Sequence, residues 1–388
     1  MGKGAALITL IALIAIIYLA LQLLRSGPSL SFPRASSIKN AERLPDRCLF
    51  IVQPILSGDP FLGKRLKSNL ENLESQSFLW LVDDEDLEAK RITTKLKDTH
   101  PNTDLHIEIC PPCPELINPK LWKLQRAAKR ATSSFFCVLD DDTLLPASSA
   151  AALVTEASMH TIATGLPCYQ DDGTTASGLL AQFVNNNSIF TYLGTTKLLH
   201  PFTLNGMGYV LDSKALHALG DFSPILHEMT DDLALATLVL KNRGTICQSS
   251  APLIVDTKVL SLSHYFRLMH RWYLFTLLLL KKQQRSSRII IFSLHGAPPV
   301  LLVILFMLTL YAATPEAVIT LLALLAVRGI ILTLMLHHFF HRHLHRPLLS
   351  ILSEIFQPVH LVHALVSHTI HWRTRRYHVR DTSDFSSI

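Results

Sequence analysis

The residues best suited to chemistry in this chain are acidic, and they stand where apolar runs end. Phe135-Phe136-Cys137-Val138-Leu139 runs straight into Asp140-Asp141-Asp142. Two carboxylates two residues apart on an extended turn can face one hard divalent cation, and Mg²⁺ and Mn²⁺ bind oxygen ligands that they share with substrate phosphates. The same pattern also serves as an ordinary acidic turn. Asp83-Asp84 closes the earlier run Phe78-Leu79-Trp80-Leu81-Val82, where a carboxylate can accept hydrogen bonds from a nucleobase or ribose. Asp231-Asp232 opens Leu-Ala-Leu-Ala-Thr-Leu-Val-Leu, an acidic first turn that capping and the helix dipole favour by themselves. Its chemical reading is a general base that deprotonates an acceptor hydroxyl. Further on, His270-Arg271-Trp272 precedes an almost wholly apolar stretch. Arg can clamp a diphosphate and Trp can cover a sugar or lipid face, although both also suit a membrane boundary.

Placing these groups requires a sheet. Strand-like runs at 48–54, 78–82, 105–109 and 135–139 alternate with helical patterns at 61–73 and 120–131. Short apolar runs separated by helices predict an α/β domain with a mostly parallel sheet, in which ligands sit at the carboxyl ends of strands. Two of those ends carry the acidic clusters.

The 388 residues are 49% hydrophobic and only 17% charged, against about 25% charged in an average soluble domain. The net charge of +6 suits an anionic membrane surface, and no nucleic-acid motif accompanies it. Residues 4–24 hold no charge and are long enough to span a bilayer. Residues 289–315 form a second such run, with Pro298-Pro299 expected to kink or interrupt it. A third, 317–336, contains Arg328, expected to line a lipid cavity or to pair with Glu316 or Glu354. Residues 347–370 hold Glu354, Pro358 and three histidines and read as a broken or interfacial helix. Arg25, Arg34, Lys39, Arg43 and Arg47 after the first span, and Lys281, Lys282, Arg285 and Arg288 before the second, predict a cytoplasmic middle region. The six cysteines, several inside apolar runs, read as reduced thiols; Cys110-Pro-Pro-Cys113 lacks further zinc ligands at motif spacing. The histidines between 337 and 345 read as a polar headgroup-level rim rather than a metal site. The division expected is an anchor (1–26), a linker (27–46), a cytoplasmic α/β domain (47–257), an interfacial helix (258–287) and C-terminal membrane helices with a basic tail (288–388).

The order of the motifs is more specific than any one of them: acidic strand end, Asp-x-Asp, acidic helix start, then Arg-Trp before the membrane. At these residues the sequence resembles the ceramide glucosyltransferase family, including bacterial relatives. The match rests on Val82-Asp83-Asp84-Glu85-Asp86, Ile117-Asn118-Pro119-Lys120, Val138 to Asp142, Gly165-Leu166-Pro167, Asn205-Gly206-Met207-Gly208, Thr230-Asp231-Asp232, Arg271-Trp272 and the tail from Trp372 to Tyr377. The resemblance implies a GT-A fold with an N-terminal anchor and a C-terminal membrane region. It implies that Asp84, Asn118, Lys120 and Asp140 bind the donor, that Asp140 and Asp142 hold Mn²⁺ or Mg²⁺, and that Asp232 is the base, with Arg271 and Trp272 also catalytic. Asn205, Gly206, Met207, Gly208 and Tyr209 are expected at the acceptor mouth. One position departs from the family's (Gln/Arg)-x-x-Arg-Trp signature: Leu268 stands first, with Arg267 one place away.

The expected activity is inverting transfer of a hexose, glucose first, from a UDP-sugar to the primary hydroxyl of a bilayer lipid, ceramide first. A hopanoid or polyprenyl acceptor is the alternative, and a decayed transferase that only binds lipid is the non-enzymatic one. The short loops lean toward a bacterial inner membrane rather than Golgi or ER.

Overall fold

The computed structural model describes residues 2–34, 37, 44–372, 375–381 and 385–387. Lys39, Arg43, Arg373 and Thr374, which the sequence reading used, lie outside them. The chain forms two compact units. One comprises Pro33–Gln170 and Pro201–Lys258; the other comprises Met1–Phe32, Asp171–His200 and Val259–Ile388.

The first unit is built on eight strands: β1 (Leu49–Ile55), β2 (Ser77–Asp83), β3 (Leu105–Cys110), β4 (Phe135–Leu139), β5 (Thr143–Leu144), β6 (Ile162–Asp171), β7 (Gly208–Asp212) and β8 (Ile246–Thr257). Their order in the sheet is β3-β2-β1-β4-β7-β6-β8-β5. Side chains alternate across a strand, and two cores form accordingly. Leu49, Ile51, Trp80 and Val82 enter one; Phe50, Val52, Leu79, Leu81, Phe136 and Val138 enter the other. Burial on both faces is why these strands read as continuous apolar runs.

The expected parallel pairing holds through β3-β2-β1-β4. β7 then runs antiparallel to both of its neighbours, with Leu139 of β4 opposite Gly208 and Ile162 of β6 opposite Leu211. So β6 points the same way as β4, and the short β5 is antiparallel to β8. The reversal at β7 has a chemical consequence. An antiparallel strand begins where its partner ends, so the loop before β7 arrives beside the acidic end of β4.

In the second unit, four helical stretches are long and apolar enough to cross a membrane: Gly4–Ser31, Arg285–Ala312, Pro315–Phe340 and Pro347–Val366. The protein is an integral membrane protein. Ile11, Ala15 and Tyr18 of the N-terminal helix pack with Leu302, Leu305, Ala317, Leu321 and Leu324. The interruption expected at Pro298-Pro299 is a π-helical turn, Phe292–Gly296, and both prolines fall in the first turn of Ala297–Ala312, where their missing N–H groups cost little. Of the two readings of 347–370, a broken or an interfacial helix, the break is not found: the helix is continuous from Pro347 to Val366, with Pro358 removing one backbone bond without ending it. Of the two partners open to Arg328, the structure selects Glu354, with Arg328 Nε 2.6 Å from Glu354 Oε2. The last strands, Thr369–Trp372, Arg375–Val379 and Phe385–Ser387, form a small antiparallel sheet.

Candidate active site

The site grows from the end of β4. Once the buried strand stops, the Asp140 N–H donates to the Met207 carbonyl at 2.9 Å, and the Asp140 carbonyl accepts from the Thr143 N–H at 3.1 Å. A tight turn results, and its three carboxylates part. Asp141 turns back into the scaffold and accepts from the Leu56 N–H at 2.7 Å. Asp142 accepts from the Thr143 hydroxyl at 2.9 Å. Asp140 meets Lys120.

Lys120 is delivered by the helix Pro119–Ala128. Its cap is Asn118, whose Oδ1 accepts from the Lys120 N–H at 2.9 Å, and Pro119 follows with φ already fit for a helix. Asn118 is itself buried, and its amide donates to the carbonyls of Glu228 and Met229 at 3.0 and 2.9 Å. One residue thus starts the Lys120 helix and holds the segment leading to the helix Asp231–Lys241.

The Lys120 ammonium joins three segments. It lies 2.7 Å from Asp140 Oδ1 and 2.8 Å from Asp231 Oδ2, and it donates to the Gly206 carbonyl at 3.2 Å. The approach to Asp231 is close but off the hydrogen-bonding direction, so Asp231 Oδ2 is buried without a hydrogen bond. Asp232, next in the chain, accepts from the Leu233 N–H at 2.7 Å and packs on Gly206. A Cβ on Gly206 would stand 3.2 Å from Asp232 Oδ2, tight enough to press on the carboxylate.

Burial and like charge set the electrostatics. The Asp232 carboxyl is pushed up to about 7, first by burial and then by Asp231. Asp140 is raised to about 6, again by burial first, with Lys120 opposing and Asp142 and Asp231 adding. Burial also raises Asp142. Asp140 keeps 32% of its side-chain surface accessible, yet the packing around it is dense enough to disfavour the anion. For Lys120, burial alone would weaken the cation; Asp140 and Asp231 outweigh it and hold the ammonium charged.

The other expected residues have definite places. Because β2 and β4 both run parallel to β1, Asp84 and Asp140 lie past the same ends of their strands. Asp84 is 61% exposed and pairs with Lys90 at 2.5 Å. Asn205 ties its loop to β6, donating to the Gly165 carbonyl and accepting from the Met207 N–H of its own loop, both at 3.2 Å. Gly208 and Tyr209 begin β7, and Tyr209 is fully buried. Arg271 and Trp272 belong to the other unit, on the helix Leu262–Lys281, where the Trp272 ring lies 6.2 Å from that of Phe183.

Two residues escaped the sequence reading, and a third, Asp231, was seen there only as half of a pair. Lys123, buried one turn after Lys120, binds Asp83 at 2.8 Å. Arg65 is 2% exposed, and its guanidinium pairs with Asp59 at 2.7 Å and donates to the Asp256 carbonyl. Lys123 had a signal in its i, i+3 spacing from Lys120; the Arg65 contacts had none.

Asp140 and Asp142 fit a hard divalent cation. Both are oxygen donors, each keeps one oxygen that no described residue claims, and burial disfavours their charge unless a cation compensates. Among the described residues no set of three or more His, Cys, Asp or Glu gathers for a metal. Two carboxylates plus substrate phosphates and water are the usual arrangement for Mg²⁺.

The family model described as "Glycosyl transferase family 21" matches residues 7–384. No curated protein matches the chain. Among solved structures, the mannosyltransferase PcManGT from Pyrobaculum calidifontis, in complex with GDP-Man and Mn²⁺, is 13% identical over 91% of this chain and 98% of its own, with a TM-score of 0.47. GalNAc-T7 with UDP, GalNAc and Mn²⁺ is 9% identical over 55% of this chain and 43% of its own, with a TM-score of 0.40.

Proposed function

The chain belongs to glycosyl transferase family 21, and on that footing we propose that it transfers glucose from UDP-glucose to the primary hydroxyl of ceramide, with inversion at the anomeric carbon. Membership makes it a glycosyltransferase acting on a nucleotide sugar, with the GT-A fold. The observation that carries the finer reading is Asp232. Burial and Asp231 push its carboxyl up to about 7, where a general base is strong enough to take a proton and is still about half ionised at neutral pH. The four apolar helices support an acceptor that arrives from the bilayer.

Asp232 takes the proton of the lipid hydroxyl. The oxygen then attacks the anomeric carbon from the face opposite the diphosphate, a C–O bond forms, and the bond to UDP breaks with its electron pair leaving on UDP. Gly206, packed on Asp232, leaves the base without a side chain in front of it. Asn205 fixes the loop through Met207, consistent with a place for Asn205 to Tyr209 at the acceptor mouth. Lys120 holds Asp140 and supplies positive charge close to where the diphosphate would lie. A divalent cation on Asp140 and Asp142 would neutralise the departing diphosphate. The resemblance supplies the donor contact of Asp84 and the roles of Arg271 and Trp272, for which Arg271→Ala is the test variant. Basic residues flanking the first two spans favour a cytoplasmic catalytic unit, and the short loops lean toward a bacterial inner membrane.

The test is transfer by detergent-solubilised protein with Mn²⁺, a panel of UDP-hexoses and short-chain ceramide, beside Asp232→Asn. Product from wild type alone supports the reading. Metal-dependent hydrolysis of UDP-sugar without transfer would exclude ceramide and point to hopanoid or polyprenyl acceptors. Transfer by Asp232→Asn would remove the base assignment.

A further inference from the structure

We propose that Asp231 recognises a hydroxyl of the transferred hexose and so sets which sugar epimer the protein accepts. The inference rests on the proposed function, because it takes the order of parts in any such transfer as given. Along the reacting ligands that order is diphosphate, hexose, attacking hydroxyl. Along the side chains it is Asp140, then Lys120, then Asp231, then Asp232. Asp140 stands at the diphosphate end and Asp232 at the hydroxyl end. Asp231 is the carboxylate that links the Lys120–Asp140 pair to the base, by its ion pair on one side and its place next to Asp232 in the chain on the other, and a hexose held between the two ends would pass beside it.

The two oxygens of Asp231 are in different states. Oδ2 is buried against the Lys120 ammonium at 2.8 Å. The side chain as a whole is 18% exposed while Oδ2 is buried, which leaves Oδ1 as the oxygen that can meet a ligand. Lys120 thus pins the carboxylate by one oxygen and presents the other, as a pure acceptor, to whatever enters. Beneath the cluster the Tyr209 hydroxyl is buried with no hydrogen-bond partner among the described residues, and Asp231 is the charged group that acts on it most strongly. Buried polar groups are rarely left unmatched, so orphans of both kinds in one place mark a site that its ligand completes. A sugar hydroxyl both donates and accepts. An anionic phosphate would be repelled by Asp231, and a lipid tail would leave its acceptor unmatched.

A site that hydrogen-bonds a substrate hydroxyl discriminates strongly against an analogue that misplaces it. Wild type, Asp231→Asn and Asp231→Ala should therefore be compared for turnover of UDP-glucose and UDP-galactose, which differ only in the direction of one hydroxyl, and for binding of UDP alone by calorimetry. The expected result is a fall of roughly 10- to 150-fold in kcat/KM for the preferred hexose, a collapse of the ratio between the epimers, and UDP affinity unchanged within about twofold. UDP binding also reports that the variants are folded. An unchanged epimer ratio, or a loss of UDP binding as large as the loss of turnover, would overturn the proposal, since Asp231 would then be a structural partner of Lys120. If wild type turns over no UDP-hexose, the parent reading fails instead, and this one with it.

Discussion

Each unit holds a cation among oxygen-bearing side chains, and the two networks are finished to different degrees. In the apolar helices Arg328 is 2% exposed and Glu354 4%. Tyr18 donates to Glu354 at 2.8 Å and accepts from Arg328 at 3.0 Å and from Gln22 at 2.8 Å, while Arg328 also donates to Ser350 at 2.9 Å. Ser350 in turn accepts from Asn186 at 2.8 Å. Arg328 and Glu354 thus meet each other's charge, and what the set leaves open is a neutral atom, the buried Asn186 Oδ1. The Lys120 set has one cation for Asp140 and Asp231, leaves an oxygen open on each, and keeps a third carboxylate, Asp232, close by. A closed network in a low-dielectric setting stabilises a unique packing. An open one is short of positive charge and of donors, which substrate and cation would bring. The difference separates structure from chemistry more clearly than residue type does, since both sets use the same kinds of side chain.

Substitution should break the two sets in different ways. The largest effect belongs to Asp232→Asn, expected to lower transfer by about 10²- to 10⁴-fold with little change in thermal unfolding, measured by turnover and by a melting curve in detergent. Glu354→Gln should do the reverse. Leaving Arg328 buried without its counter-charge should cost on the order of 3 kcal/mol of stability, seen as a lower unfolding temperature, while kcat of the protein that remains folded stays near wild type. If Glu354→Gln instead abolished kcat without moving the melt, the closed network would have to be assigned to catalysis.

A pH profile sharpens the contrast at the open set. The base works only when deprotonated, so with the Asp232 carboxyl at about 7, kcat/KM should fall about tenfold per pH unit below that value and level off above it. Because burial and then Asp231 raise that value, Asp231→Asn should move the inflection to lower pH. A profile flat from pH 5 to 8 would argue against Asp232. The smallest effect is expected at Gly206→Ala, whose added methyl presses on Asp232 at 3.2 Å; displacement of the base by a few tenths of an ångström should cost on the order of tenfold in kcat, with KM for UDP-glucose preserved.

Much of this was legible in the chain before any coordinate. The runs at 48–54, 78–82, 105–109 and 135–139 became β1, β2, β3 and β4 within a residue or so of each end, because alternation and apolar continuity are local signals. The acidic ends of β2 and β4 followed from the same runs. The reversed direction of β7 was not legible, since a strand's direction depends on where the chain returns and leaves no mark in its composition. Arg328 shows the same limit: its need for a partner was evident from one charge in an apolar run, but Glu316 and Glu354 were equally eligible on paper.

By itself the sequence determined the apolar spans before residue 340, the strand ends that carry carboxylates, and the resemblance that names the chemistry. Those depend on neighbours a few residues apart, through helix and strand periodicity and through hydropathy summed over a span. Only the tertiary structure decided that Lys120 joins Asp140 to Asp231, that Gly206 is what faces Asp232, and that Tyr18 reaches Glu354 across most of the chain. Ion pairs and close contacts act over a few ångströms, and which residues come that near is settled by how strands and helices pack, not by how far apart they lie in sequence.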